Sequence, residues 1–345
     1  MSNLIETVKT LCRLPGISGW EDAVRDYIRR EVTPYADQII EDGLGCLLVH
    51  KKGRIDCGKT IVLAAHMDEV GMMIQSITPE GYLRFGFVGG VDRRVVIGKQ
   101  VFVGENRVPG VIGMKPVHLT TPAEREHMPP VKELYIDIGA ENRKEAEKLT
   151  FLGDYAVFSD EVTQLENGEI CMKAIDDRVG CGILLELCKQ ELPVDVWFAF
   201  TVQEEVGTRG AYGVSYRLKP DIAIVVEGTT AADIPASKGG RKICSPGKGP
   251  VIPFMDRSTI FDRGIFEQLR DLAEANDIPW QTKSLVAGGT DAQTFQRSSA
   301  PVRVGAVSAA VRYIHSGASV GNVHDFENMK RLLEAFLQSQ EEHHV

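Results

Sequence analysis

The hydrophobic pattern changes period along the chain, and each change marks an element. Leu4, Ile5, Val8, Leu11 and Cys12 recur at helical spacing, and Pro15-Gly16 ends the run, which predicts a first helix. Ser18 and Glu21 stand in S-x-x-E order ahead of Val24, Tyr27, Ile28 and Val32, the mark of a second helix with a capping box. Strand-like runs follow at Gln38 to Glu41, Cys46 to His50 and Thr60 to Ala65. The last is nearly all apolar, as a strand buried on both faces should be, and it runs into His66 and Asp68.

From about residue 70 to 165 short β-like runs alternate with turns such as PEG, GEN and VPG, and only Asn142 to Lys148 reads as helical. Helix and strand then alternate again. Ala174 to Lys189 reads as a helix, Val194 to Val202 and Ile222 to Val226 as strands, and Ile265 to Ala275 as a helix. Thr290 and Gln293 form a T-x-x-Q helix start, Val302 to Val307 a strand, and a last helix begins near Asp325. The expected fold class is α/β: a mostly parallel sheet covered by helices, with an inserted β-rich domain. Residues 1–69 and 166–345 would form the α/β domain and 70–165 the insertion.

Composition narrows the function classes. With 43% hydrophobic and 25% charged residues in 345, the chain can bury a large core and is not expected to be disordered. A net charge of −9 argues against nucleic-acid binding and against docking on an anionic membrane. The longest apolar runs, such as Val196 to Val202, fall far short of the roughly 20 residues of a membrane helix. Seven cysteines without a C-x-x-C suggest neither a disulfide framework nor a thiolate zinc site, so a reducing compartment, the cytoplasm, is expected. The opening MSNLIETVKTLCRLPG carries an acidic residue and no continuous apolar core, unlike a signal peptide.

The chemistry stands out at the strand ends. TIVLAAH ends in His66 with Asp68 beyond it, WFAFTVQEE in Glu204 and Glu205, and IAIVVE in Glu227. Asp176 and Asp177 open a helix, and His315 lies past the run VGAVSAAV. Ligands of open parallel sheets collect at the carboxyl ends of the strands. Two histidines and several carboxylates there make an N/O donor set suited to zinc, cobalt or manganese. Taken singly, each residue has an ordinary reading: a core histidine, a solvated glutamate pair, a helix cap at Asp176 or Asp177. Their joint appearance favours a metal cluster. A bridging carboxylate, with a histidine and a carboxylate on each side, suffices for two metals about 3.5–4 Å apart. Two adjacent glutamates allow one to bind metal and the other to take a proton from activated water. H-E-x-x-H is absent from the sequence. The letters of a P-loop occur at 53–60 but run into the strand-like Thr60 to Ala65 and not into a helix, and those of G-x-S-x-G occur at 317–321, so neither is read as a site. His50, His118, His127 and the terminal His343 and His344 are not expected as ligands, and His324 only as a lesser candidate.

AAHMDEVG (64–71), KAIDDRVG (173–180), TVQEEVGTRGA (201–211), VVEGT (225–229), GGTDA (288–292) and RYIHS (312–316) together resemble a known family. It comprises the cytoplasmic dinuclear metallo-aminopeptidases that assemble as tetrahedral dodecamers, the TET or glutamyl/leucyl aminopeptidases, some once described as cellulases. The resemblance runs in order over nearly the whole chain and implies a fold of the zinc-exopeptidase type. It further implies two divalent ions per subunit, with His66 and Glu227 on one, Glu205 and His315 on the other, and Asp176 bridging. Glu204 would be the general base and Asp68 a carboxylate behind His66, while Thr290 and Asp291 would line the site. Asp177 stands where many relatives have Asn, and Glu227 where many have Asp. The implied activity is removal of N-terminal residues from peptides, with the insertion as a dimerisation domain of a homo-oligomer. The alternatives are a carboxypeptidase or acylase using the same metal chemistry, a metal-free glycosidase, and a scaffold with a dead site. A preference for acidic residues would need a basic pocket, for which Arg209, Lys238, Arg241 and Lys248 are candidates.

Overall fold

The computed structural model describes residues 3–342 other than 236, 238, 240, 241 and 299, with Glu342 described by its backbone alone. Lys238, Arg241, His343 and His344 therefore lie outside the described residues. A six-stranded sheet runs in the order Gln38–Glu41, Leu47–Lys51, Val196–Thr201, Ile61–His66, Ile222–Thr230, Arg303–Val311. The last four are parallel, and the first two join antiparallel at one edge. Ile61–His66 is buried throughout, as a central parallel strand with helices on both sides must be. The strands Ile222–Thr230 and Arg303–Val311 each extend about four residues beyond the runs the sequence suggests, pairing as far as Thr230 with Val311.

Helix Ile175–Cys188 lies against the sheet and is covered in turn by Asn3–Arg13, Asp22–Val32 and Val323–Glu342. It is buried around nearly its whole circumference, so its sequence is apolar rather than striped. Helices Arg209–Leu218 and Asp291–Arg297 pack on each other and on the sheet apart from that group.

Six antiparallel strands between Gly71 and Phe158 close into a barrel, in the order Tyr155–Phe158, Gly71–Ile77, Leu83–Val88, Tyr135–Asp137, Val108–Gly113, Gln100–Val103. Met72, Ile74, Phe85, Val101, Ile112 and Ile136 fill its own core. The segment read as helical at Asn142 to Lys148 makes a single turn, Arg143–Ala146, capped by Asn142. After the barrel, Glu169–Met172 pairs with Ser319–Asn322, returning the chain to the α/β part.

A buried charge cluster locks the junction. Arg178 is fully buried and donates to the carbonyls of Leu11, Leu14, Gly16 and Met67 and to Glu69. Lys173 Nζ donates to the same Glu69 Oε1 at 2.6 Å and to Leu14 O at 2.9 Å. Two cations thus share one carboxylate beside the site.

Candidate metal centre

The parallel strands bring their carboxyl ends to one rim, and the sequence-predicted residues gather there. His66 closes its strand, opposite Thr201. Past Thr201 the chain turns through Gln203, at a φ of 57°, into Glu204 and Glu205. Glu227 lies within Ile222–Thr230, and His315, with a φ of 59°, lies in the loop after Arg303–Val311.

Asp176 and Asp177 divide the two roles considered for them. Asp177 Oδ1 accepts from the Gly180 amide at 3.0 Å, as a helix cap does, and its Oδ2 accepts from the His66 amide at 3.1 Å. Asp176 keeps non-helical backbone angles and turns its carboxylate into the site; the peptide between the two is cis. Two glycines allow the approach. A Cβ at Gly180 would meet Val226 O at 2.1 Å, and one at Gly228 would meet Asp176 Cβ at 2.8 Å. The Gly228 amide donates to Asp176 Oδ1 at 3.2 Å.

Asp176 is the hub. Its Oδ1 lies 3.3 Å from His66 Nε2, and its Oδ2 lies 3.6 Å from His315 Nε2. His66 Nδ1 is 3.0 Å from the carbonyl of Asp68, and His315 Nδ1 is 3.1 Å from the carbonyl of Gly90. A carbonyl only accepts, so each Nδ1 carries a proton and each Nε2 is turned toward a carboxylate oxygen. An imidazole lone pair facing a carboxylate needs a cation between them, either a proton or a metal ion. The donor atoms of His66, Asp176 and Glu205 lie within 4.8 Å of one another. Glu205 Oε1 is buried 3.2 Å from His315 Nε2 without forming a hydrogen bond.

Asp68 sits behind them, fully buried. Its Oδ1 accepts from the Glu204 amide at 3.0 Å, and its Oδ2 from the Glu205 amide at 3.1 Å and Ser18 Oγ at 2.6 Å. Its Oδ1 is 3.5 Å from His66 Nδ1, farther than its own carbonyl. Ser18 therefore does not form the capping box that its S-x-x-E position suggests. The buried carboxylate of Asp68 takes its hydroxyl, and Glu21, at the helix start, accepts from the amides of Gly19 and Gln203 instead.

Electrostatics follow from burial. Desolvation pushes Glu204 and Glu227 well above the usual carboxylate range and Glu205 up to about 7. Burial also acts on Asp176, but hydrogen bonds and attraction from His315 and His66 outweigh it and hold this carboxyl below its ordinary value. Burial opposes charging of His66 and His315, yet bonding to Asp176 wins, taking His66 well above the imidazole range and His315 to about 9. So many carboxylates around two imidazoles demand positive charge, and the N/O donors, the oriented Nε2 atoms and the unbonded Glu205 Oε1 fit divalent metal ions.

A cavity of about 290 Å³ opens on this cluster, lined by His66, Asp176, Glu204, Glu205, Glu227 and His315. Thr290 lines it too, and caps its helix by accepting from the Ala292 amide at 3.1 Å. Asp291 is buried behind it, accepting from Thr201 Oγ1 at 2.6 Å. Arg209 and Lys248 are not in the cavity wall; Arg209 bonds Gln203 at 3.3 Å. Lys283, which the sequence did not single out, is in it. No strand-end or motif position marks Lys283, since an irregular loop brings it to the rim. His50 stacks on Trp197, away from the cluster.

The α/β sheet with this rim of histidines and carboxylates defines a metal-dependent exopeptidase class, and known proteins give the family. Residues 45–332 match the model of the M42 glutamyl aminopeptidases, and the chain belongs to that family. It is 37% identical to a putative aminopeptidase of Acetivibrio thermocellus, over 96% of this chain and 97% of that one. It is 32% identical to the glutamyl aminopeptidase of Lactococcus lactis, over 97% and 96%. Among solved structures it is similar to the Pyrococcus horikoshii TET1 peptidase, which can assemble into a tetrahedron or a large octahedral shell. The TM-score is 0.86 at 36% identity, over 97% of this chain and 99% of that one. The protein is thus an aminopeptidase of a metal-dependent hydrolase family. Among the described residues no helix is long and apolar enough to cross a membrane.

Proposed function

We propose that the chain removes N-terminal residues from peptides with two divalent ions held by its own rim residues. Asp176 would bridge them, with His66 and Glu227 on one side and Glu205 and His315 on the other. The observation that carries this reading is the placement of Asp176, each carboxylate oxygen facing a different imidazole Nε2. When bound, such ions polarise the scissile carbonyl and lower the pKa of water. The chain's own part is proton handling and alignment. Glu204, beside the cluster and raised by burial, accepts the proton of the attacking water and delivers it to the leaving amine. Asp68 aligns both glutamates through their amides.

The division into an α/β catalytic domain (1–69 and 166–345) and an inserted domain (70–165) that mediates homo-oligomer formation, dimers building a dodecamer, belongs to the same proposal. It is supported by the barrel's separate core and by the shells of the related TET1 peptidase. The seven free cysteines favour the cytoplasm.

The test compares free and N-acetylated peptides by mass spectrometry, using metal-stripped enzyme and enzyme restored with Zn²⁺, Co²⁺ or Mn²⁺. Stepwise N-terminal loss from free peptides only, with two ions bound per subunit, is the expected result. Cleavage of acetylated peptides or from the C-terminus would move the activity to an acylase or carboxypeptidase.

A further inference from the structure

His66 and His315 face the same carboxylate from very different supports. His66 ends a strand and is paired with Thr201 of its neighbour, whereas His315 lies in a loop beyond Arg303–Val311. That loop is closed at its neck by two bonds, Arg312 N to Val320 O at 2.9 Å and Val320 N to Arg312 O at 3.0 Å. Two of its residues, Tyr313 at a φ of 55° and His315 at 59°, are left-handed, a conformation costly to any residue with a Cβ. Such a backbone persists only where its surroundings hold it.

Inside the neck the holding groups are two hydroxyls. Ser316 Oγ donates to the Tyr313 carbonyl at 2.6 Å, closing a four-residue turn around Ile314 and His315, and accepts from the Ala318 amide at 3.2 Å. Ser319 Oγ stands 3.2 Å from the same Tyr313 carbonyl and 3.4 Å from that of Ser316, with one proton to give. The two serines are 8% and 2% exposed, and both line the small recess that Asp176, Glu205 and His315 share. A ligand histidine can lose its ion by turning its ring or by shifting its backbone. The Gly90 carbonyl, bonded to Nδ1, restrains the ring and leaves the backbone to the serines.

We propose that Ser316 and Ser319 are positioning residues for His315. By fastening the Tyr313 carbonyl they hold the loop in its left-handed course and keep the His315 Nε2 aimed at the ion it shares with Glu205. The inference rests on the two-ion reading above. Each serine acts through His315 and not on the substrate.

The test dialyses the Co²⁺-loaded full chain against chelator-buffered Co²⁺ of falling free concentration. Ions retained per subunit are read by elemental analysis, for the parent, Ser316→Ala, Ser319→Ala and His315→Ala. His315→Ala marks the step of metal loss that depends on the imidazole. Removing a group that orients a ligand lowers metal affinity by about 10- to 100-fold. Ser316→Ala, which loses the shorter bond, should weaken the marked step by that factor and the other step by less than about threefold. Ser319→Ala should act at the lower end of the range. The visible spectrum of the saturated Co²⁺ protein should change in Ser316→Ala, because the geometry around the ion sets it. Unchanged retention in both serine variants overturns the proposal. So does equal weakening of both steps, which would make the serines props of the fold at large. Circular dichroism checks folding. Should Ser316→Ala fail to fold, Ser319→Ala decides by the same criteria, and failure of both to fold overturns a role confined to His315. A parent that retains one ion per subunit overturns the two-ion reading instead, and the serines are then judged on whether their loss weakens that ion. No retained ion overturns both.

Discussion

Replacing Glu69 by Gln would test the charge cluster that fastens the first helix to the rim. The change keeps the side chain's size and an acceptor oxygen and removes only the charge. Lys173, 1% exposed, and Arg178, fully buried, would then share no carboxylate. Breaking one partner of a buried ion pair costs about 3–5 kcal/mol. With an acceptor retained, about 3 kcal/mol is expected for Glu69→Gln. Lys173→Met removes the surplus cation and leaves Arg178 and Glu69 paired one to one. The Leu14 carbonyl still has Arg178 as a donor, so this change should cost only about 1 kcal/mol. The pH dependence has a definite sign. Burial lowers the pKa of Lys173 below its ordinary 10.5. The cost of holding it charged is full below the lowered pKa, and stability rises with pH from there to about 10.5. Loss of Glu69 lowers that pKa further, so the gap between Glu69→Gln and the parent narrows as pH rises toward 10.5. Urea unfolding followed by circular dichroism, at one fixed protein concentration because oligomers gain stability by mass action, measures all three proteins. A gap independent of pH, or a cost for Lys173→Met equal to that for Glu69→Gln, would refute the reasoning.

Glu204→Gln should lower kcat by about 10²–10⁴ while metal content by elemental analysis stays unchanged; loss of metal would instead make Glu204 a ligand. In the native protein, burial pushes Cys12 and Cys244 up to about 12 and Cys188 to about 11, and Cys171 is the one cysteine not buried. Thiol titration should therefore find at most Cys171 reacting readily before denaturation and seven thiols after it; prompt reaction of several native thiols would contradict that burial. Asp262 caps Arg263–Ala275 by accepting from the Ile265 amide at 2.9 Å, and its bond from Arg303 lowers its pKa. Asp262→Ala should cost about 1 kcal/mol at pH 7 by urea unfolding. The charged part of that difference is present above the ordinary aspartate pKa and is lost as pH falls through the lowered one.

The site was legible in the sequence wherever a regular element delivers it. Apolar strands of period-free burial end at His66, Glu204 and Glu205, and a parallel sheet aligns those ends, so strand order alone brings them together. Local motifs served less well, because tertiary partners outbid them. Ser18 left its capping box for the buried Asp68, and Asp177 is both helix cap and support for His66. Lys283 could not be found from spacing, since a loop and not an element carries it to the cavity. The barrel was visible as a β-rich texture, but its closure was not, because closure depends on Tyr155–Phe158 pairing with both Gly71–Ile77 and Gln100–Val103.

The bond from His315 Nδ1 to the Gly90 carbonyl crosses from the α/β part to the loop that leaves barrel strand Leu83–Val88. A Cβ at Gly90 would already stand 3.3 Å from the imidazole. The inserted barrel is therefore not a module that an engineer can trim or exchange at will. A chimera that carries a foreign barrel has to bring back that carbonyl, in the same pose and without a side chain, or the ring it steers will drift. Any strain placed on the barrel has, through this contact, a mechanical route to the chemistry.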